Sequence, residues 1–422
     1  MPALDQGQNA PSDGALPPTA LSGLGSRPFG VYVHVPFCAT RCGYCDFNTY
    51  TPRELGALQG PPTPLEAAAN GYQPGSSSPP ASWLEAVRRE LDLTTRVLGA
   101  PPPADTVFVG GGTPSLLGAG GLAAVLDAVR STVGLARGAE VTTEANPEST
   151  SPEFFAGLRA AGYTRVSLGM QSAAPHVLAV LDRQHSPGRA TAAASEARAA
   201  GFGHVNLDLI YGTPGETRDD LAASLDAVLA AGVDHVSAYA LVVEDGTALA
   251  RRVARGELPP PDDDVLAQRY EQLDTALSAA GLHWYEVSNW AASDAARCRH
   301  NLGYWRGGDW WGAGPGAHSH VGGVRWWNVK HPARYAGSLA VGRSPAAGRE
   351  VLTAADRHTE QVMLRLRLAE GLPLDVLEAP GRDAAARAER EGLLAPGAPG
   401  SAVLTRRGRL LADAVVRDLL VA

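Results

Sequence analysis

The first regular pattern along the chain is Val31-Tyr32-Val33-His34-Val35, which alternates like a strand until Pro36 stops it. From residue 82 the period changes. Leu84, Val87 and Leu91 fall on one side of a helix expected over 82–98. Thr106-Val107-Phe108-Val109 predicts a short buried strand running into Gly110-Gly111-Gly112-Thr113, and a helix follows over 119–133. The alternation then repeats. Strands are expected over 140–144, 165–169, 204–211 and 235–241. Between and after them come helices from Pro152, near 174–181 and 189–200, and over 217–231 and 262–280.

Six strands separated by helices argue for parallel pairing through right-handed crossovers. Spacing alone does not separate a doubly wound sheet from a curled one. Six units rather than eight point to a partial (β/α)6 barrel. In either arrangement, ligands belong at the strands' C-terminal ends. Around this α/β unit, over 29–282, the pattern breaks. Residues 1–28, rich in Pro, Gly, Ser and Ala, read as a disordered tail, and 51–81 as a loop insertion. Residues 283–350 form an aromatic-rich extension, since seven of the eight Trp lie between Trp284 and Trp327. Residues 351–422 read as a small, mostly helical C-terminal domain.

Composition narrows the function. An apolar content of 45% supplies an ordinary globular core. The net charge of −8 argues against a nucleic-acid binder, which needs a basic footprint. No apolar run reaches the length of a membrane span, which leaves at most peripheral membrane contact. The first residues lack a secretion signal, and few, clustered cysteines suit a reducing compartment, so a cytoplasmic location is expected.

Those cysteines carry the chemistry. Cys38, Cys42 and Cys45 have the spacing C-x3-C-x2-C on a loop just past the first strand. Three thiolates there suit an iron–sulfur cluster. A four-iron cluster held by three cysteines keeps one iron open for an outside ligand. A structural zinc site would need a fourth ligand, and His34, on a strand, is poorly placed for it. A disulfide would leave an odd thiol. At the other strand ends stand Gly111, Gly112, Thr113, Glu144, Gln171, Arg183 and Asp208. Each alone is as readily a solvated or ion-paired group. Together they suit a zwitterionic ligand carrying a ribose.

Tyr32-Val33-His34-Val35-Pro36-Phe37-Cys38, with the cysteine spacing, resembles the radical S-adenosylmethionine (SAM) proteins. More narrowly it resembles the branch of the anaerobic coproporphyrinogen III oxidases and the HemW-type haem chaperones. That resemblance implies a partial radical-SAM barrel with a winged-helix-like C-terminal domain. It implies a [4Fe–4S] cluster on Cys38, Cys42 and Cys45, its open iron chelating SAM. Tyr32 and the backbone of Tyr44 would flank the SAM, and Gly111, Gly112 and Thr113 would meet its methionine part. Glu144 would accept from the ribose, Arg183 would pair with a carboxylate, and Gln171 and Asp208 would complete the pocket.

Two markers separate the branches. The oxidases carry a fourth cysteine two residues after the third; here Phe47 stands there, as in the chaperone branch. Arg299-His300-Asn301-Leu302-Gly303-Tyr304 matches the H-N-x-x-Y motif of the HemW type. His300 and Tyr304 would then serve haem, with the neighbouring Trp residues as a flat wall. Otherwise His300 is a hydrogen-bonded structural histidine, the Trp group an aromatic core and Cys298 a buried thiol. The expectation is a haem chaperone that delivers haem to client haemoproteins, with no catalytic residue assigned. The alternative is a radical SAM enzyme such as oxygen-independent coproporphyrinogen III oxidase.

Overall fold

In the computed structural model, residues 7–59, 81–183 and 186–421 are described. A 12-stranded sheet organises them. Its centre is six parallel strands paired in chain order: β1 (Phe29–Val35), β2 (Ala104–Gly111), β3 (Leu135–Ala145), β4 (Arg165–Gln171), β5 (His204–Tyr211) and β6 (His235–Ala240). These are the six strands that the sequence pattern places. The sheet is curled and does not close on itself, which makes it a partial barrel.

Each central strand splits its side chains between two faces. Val31, Val107, Val141, Val166, Leu207 and Val236 turn outward, into the main apolar core beneath the surrounding helices. Leu91 of the helix Ala81–Leu98 and Leu126 of the helix Gly118–Thr132 are fully buried in that core. The intervening positions, among them Glu144, Ser167, Asn206, Asp208 and Ser237, line the concave interior. A polar interior is what makes this barrel a vessel rather than a packed core. Local caps fix the helix starts. Thr217 and Asp220 form a reciprocal capping box for Arg218–Ala230, and Ser151 accepts from the Phe154 N–H to start Pro152–Ala161.

The aromatic-rich extension supplies strands on both flanks. β7 (His283–Glu286) and β8 (Asn289–Ala291) join β6 antiparallel, through β8. On the other side β9 (Asp309–Ala313) pairs parallel with β1, followed antiparallel by β10 (His318–Val321), β11 (Val324–Asn328) and β12 (Ala346–Val351).

The disordered tail expected over 1–28 does not hold for its described part. Gln8 bridges to Arg349, the short helix Pro18–Leu21 buries Ala20, and Arg27 pairs with Asp309 at 2.9 Å. Leu16, Leu21 and Leu24, spaced through a polar stretch, pack on the main core. The expected 51–81 insertion begins with a helix, Pro52–Gln59, and its residues 60–80 lie outside the described residues.

The C-terminal unit has its own core, built from Val362, Leu366, Leu377, Leu394 and Val416. Helices Ala354–Arg365, Ala379–Arg390 and Ala412–Val421 surround it, with the hairpin of β14 (Leu394–Pro396) and β15 (Ser401–Leu404) beside β13 (Leu372–Pro373). It docks through Asp274, which bonds Arg406 at 2.6 Å, Arg409 at 2.9 Å and the Trp290 indole at 3.0 Å. Among the described residues, no helix is long and apolar enough to cross a membrane.

Candidate functional site

The barrel interior opens at the C-terminal ends of its strands into a cavity of about 620 Å³. Cys38, Cys42 and Cys45 line it, together with Tyr44, Gly111, Gly112, Thr113, Glu144, Gln171, Arg183 and Asp208. Eleven of the fourteen residues singled out from the sequence thus surround one space.

Backbone bonds hold the cysteine loop at the rim. The Gly112 and Thr113 N–H groups donate to Val35 O and Phe37 O, both at 2.7 Å, stitching the glycine turn to the end of β1. A Cβ on Gly112 would stand 2.4 Å from Phe37 O and 3.0 Å from Cys38 Sγ, so no other residue fits there. Gly43 N donates to Leu181 O at 3.0 Å and Leu249 N to Gly43 O at 2.8 Å, anchoring the far side of the loop. Polar side chains reach the sulfurs, Thr113 and Arg183 among them. Thr113 Oγ1 lies 3.6 Å from Cys38 Sγ and Arg183 Nη1 3.4 Å from Cys42 Sγ. Burial pushes the Cys38 thiol up to about 11, and the Cys45 thiol up as well.

The cavity also holds a pair of half-buried carboxyls, Glu144 and Asp208. Glu144 Oε2 accepts from Gly111 N at 3.0 Å. Burial, reinforced by the nearby Asp208, raises the Glu144 carboxyl to about 8. Burial also raises Asp208, against hydrogen bonds from Ser237, Ser167 and Asn206. Among the described residues, Gln171 (φ 63°) and Asp182 (φ 51°) are the two non-glycine positions in the left-handed region, and both line the cavity. Strain concentrated at one site marks a place where the surroundings fix geometry for a ligand. The Gln171 Oε1 is buried there with no hydrogen-bond partner.

Tyr32, His300 and Tyr304 do not line the cavity. The Tyr32 hydroxyl bonds His34 Nδ1 at 2.9 Å, and its ring stacks on Phe108 at 6.3 Å. The His34 Nε2 meets Asn48 O at 2.9 Å, so both its ring nitrogens are engaged and it is no fourth metal ligand. The helix Arg299–Trp305 packs against β1 and β2. His300 Nδ1 bonds Thr106 Oγ1 and Nε2 bonds the Tyr304 hydroxyl, each at 2.8 Å. The His300 ring is buried, stacks on Phe108 at 5.3 Å, and is held down to about 3 by burial. No Trp lines the cavity: Trp290, Trp311 and Trp326 are buried in the core.

The motif instead presents Asn301 to the cavity, with Cys298 just before it lining the same space. Sequence reading also missed Tyr239, Ser167, Ser237, Asn206 and His235, which line it. Their signal was present as alternation: each stands one position away from a buried apolar strand residue.

The residues present fit a three-thiolate iron–sulfur cluster with an organic ligand beside it. Three sulfurs share a rim with a side-chain-free backbone turn and a half-buried acidic wall, and that donor set suits iron. Cys38, Cys42 and Cys45 would hold the cluster, which when reduced supplies one electron to a bound sulfonium.

Comparison with known proteins agrees with this geometry. The model of the Radical SAM superfamily matches residues 32–228. In structure the chain is similar to coproporphyrinogen III oxidase (HemN) of Escherichia coli, with a TM-score of 0.75 over 95% of this chain and 91% of that one, at 22% identity. That likeness establishes the fold. In sequence it is 62% identical to the heme chaperone HemW of Mycobacterium tuberculosis, covering 96% of this chain and 98% of that protein. It is 34% identical to the HemW of Escherichia coli, over 82% and 84% of the two chains. The chain belongs to the HemW family of radical SAM proteins.

Proposed function

We propose that this protein is a haem chaperone. It binds haem, keeps a SAM-ligated [4Fe–4S] cluster on Cys38, Cys42 and Cys45, and passes haem to client haemoproteins in the cytoplasm. The observation that carries this reading is the 62% identity to a HemW over nearly the full length of both chains. Phe47 supports it, standing where the coproporphyrinogen oxidases carry their fourth cysteine.

In the SAM pocket, Glu144 accepts from the ribose, Arg183 pairs with a carboxylate, and Gly111, Gly112 and Thr113 offer backbone to the methionine part. Gln171, Asp208 and the Tyr44 backbone complete it, with Tyr32 supporting from behind through Phe108. The second reading is a radical SAM enzyme, favoured by the completeness of this pocket. One anaerobic preparation with its cluster reconstituted tests both. Haem uptake and transfer to an apo-haemoprotein, without conversion of coproporphyrinogen III, is the expected result. Turnover to protoporphyrinogen IX without haem uptake would reverse the assignment.

A further inference from the structure

The cavity's mouth carries an exposed apolar ledge, with the exposed carboxylates of Asp46, Glu148 and Asp182 elsewhere on its lining. Among the described residues, the exposed large apolar side chains include two aromatics, Phe47 at 61% and Tyr239 at 44%, and both line this cavity. Val242, 59% exposed, lines it too. A monomer has little reason to gather its exposed aromatic surface at one rim unless something covers it.

Phe47 belongs to a second concavity as well. A hollow on the outer side of the cysteine loop is lined by Arg41, Asp46, Phe47, Tyr50, Glu54 and Lys330. Lys330 is the single lysine in a chain with 36 Lys and Arg residues. Its backbone is tied to the cysteine loop, because Asn48 Nδ2 and the Tyr50 hydroxyl both donate to Lys330 O, at 2.9 and 3.1 Å. Glu54 is taken up by Arg41 at 3.4 Å and by the Thr51 N–H at 2.7 Å. Among the described residues the exposed Lys330 ammonium is therefore the hollow's available cation, with Asp46 on the wall shared with the cavity. An ammonium is a compact point charge that tolerates varied carboxylate geometries.

We propose that haem sits across Phe47. Its flat apolar face covers the mouth formed by Phe47, Tyr239 and Val242, and its carboxylate edge turns into the adjoining hollow toward Lys330. The chemistry matches: a planar, apolar ring with two carboxylates on one edge needs an aromatic ledge with a cation beyond it. This seat rests on the haem-carrier reading above. It differs from a seat on the H-N-x-x-Y helix, where both His300 ring nitrogens are engaged.

The single lysine makes the test clean. Cluster-loaded protein is titrated with haem by absorbance, then pulse-acetylated, and Lys330 modification is read by mass spectrometry. With nine-tenths of the sites filled, Lys330 acetylation is expected to slow about tenfold, following the free fraction. Lys330→Met and Phe47→Ala should each weaken haem binding about five- to tenfold, and Lys330→Arg should restore most of the loss. Haem that binds while Lys330 reacts as fast as in haem-free protein would overturn the seat but leave the carrier. Protein that binds no haem would overturn the carrier reading, and the seat with it.

Discussion

Glu144 offers a quantitative test of the SAM pocket. Burial and the neighbouring Asp208 raise its carboxyl to about 8, so the ligand-free protein holds a proton there at neutral pH. A ribose hydroxyl donates best to an ionised carboxylate, which only accepts. On the proposed contact, SAM binding expels that proton, and affinity is expected to climb as pH rises toward about 8 and level off above it. At pH 7 roughly one Glu144 in eleven is ionised. If the ionised form alone is competent, the apparent Kd is about tenfold weaker at pH 7 than at pH 9.

Glu144→Gln keeps the shape and an acceptor for the Gly111 N–H but cannot ionise. Losing a charged hydrogen bond costs about 1.5–3 kcal/mol, or roughly ten- to a hundredfold in Kd at pH 9. Its pH profile should be nearly flat. The assay is anaerobic equilibrium dialysis of labelled SAM across pH 6.5–9, with cluster absorbance recorded to show that the cysteines remain loaded. A variant that binds SAM as tightly as the parent at pH 9 would refute the contact. A variant that keeps the tenfold rise would move the titrating group to Asp208 or to the α-amino group of SAM itself, which titrates in the same range.

Three further outcomes follow from named contacts. Cys38→Ala, Cys42→Ala and Cys45→Ala should each remove the four-iron cluster's visible absorption; a full four-iron content in any of them would contradict the ligand set. Glu90→Ala should destabilise the fold by about 3 kcal/mol or more in denaturant melts, because Glu90 is fully buried and accepts from Gly314 N, Asn328 Nδ2 and the Tyr335 hydroxyl. Asp274→Ala should loosen the C-terminal unit by about 3–5 kcal/mol, leaving Arg409 and Trp290 unpaired. The paired arginines and the Trp290 indole hold the Asp274 carboxyl below its ordinary value, against burial. Its contribution is thus full above the unfolded pKa and lost as pH falls through the folded one. Limited proteolysis against pH would show the unit releasing only on acidification, and release at neutral pH in the parent protein would count against it.

The six central strands were legible because each carries buried apolar residues at alternate positions, and long helices separate them. The strands of the aromatic-rich extension were not. β8 has three residues and β10 four, too short for a period to register, and the Trp311 of β9 packs on the Trp326 of β11, a contact between separate strands that no local period reports. Much of the site was legible through the cysteine spacing and the polar residues that end the strands. What the linear pattern hid was depth. Ser167, Asn206 and Ser237 lie within strands, and reading each strand as a buried apolar run passed over the polar half of its alternation. Asn206 Nδ2 reaches Ser167 Oγ at 2.6 Å, Asp208 Oδ1 at 2.7 Å and Ser237 Oγ at 2.9 Å, so this inner layer steadies the acidic wall from below.

The H-N-x-x-Y stretch shows where a motif and a structure part. On a helix, residues four apart share a face, so His300 and Tyr304 point the same way and bond each other, while Asn301 is turned aside by about 100°. The pair faces Phe108 and Thr106 beneath β1 and β2, and Asn301 faces the cavity. His300→Ala should therefore lower stability, by about 2–4 kcal/mol for the lost stacking and the two orphaned hydroxyl partners. Haem affinity should stay within about twofold of the parent, the scale of an indirect effect well below one lost contact. Haem titrations of folded His300→Ala and His300→Gln protein decide it. A loss of tenfold or more in both, with the melting temperature restored by Gln, would put the iron on His300 and require this helix to open during loading.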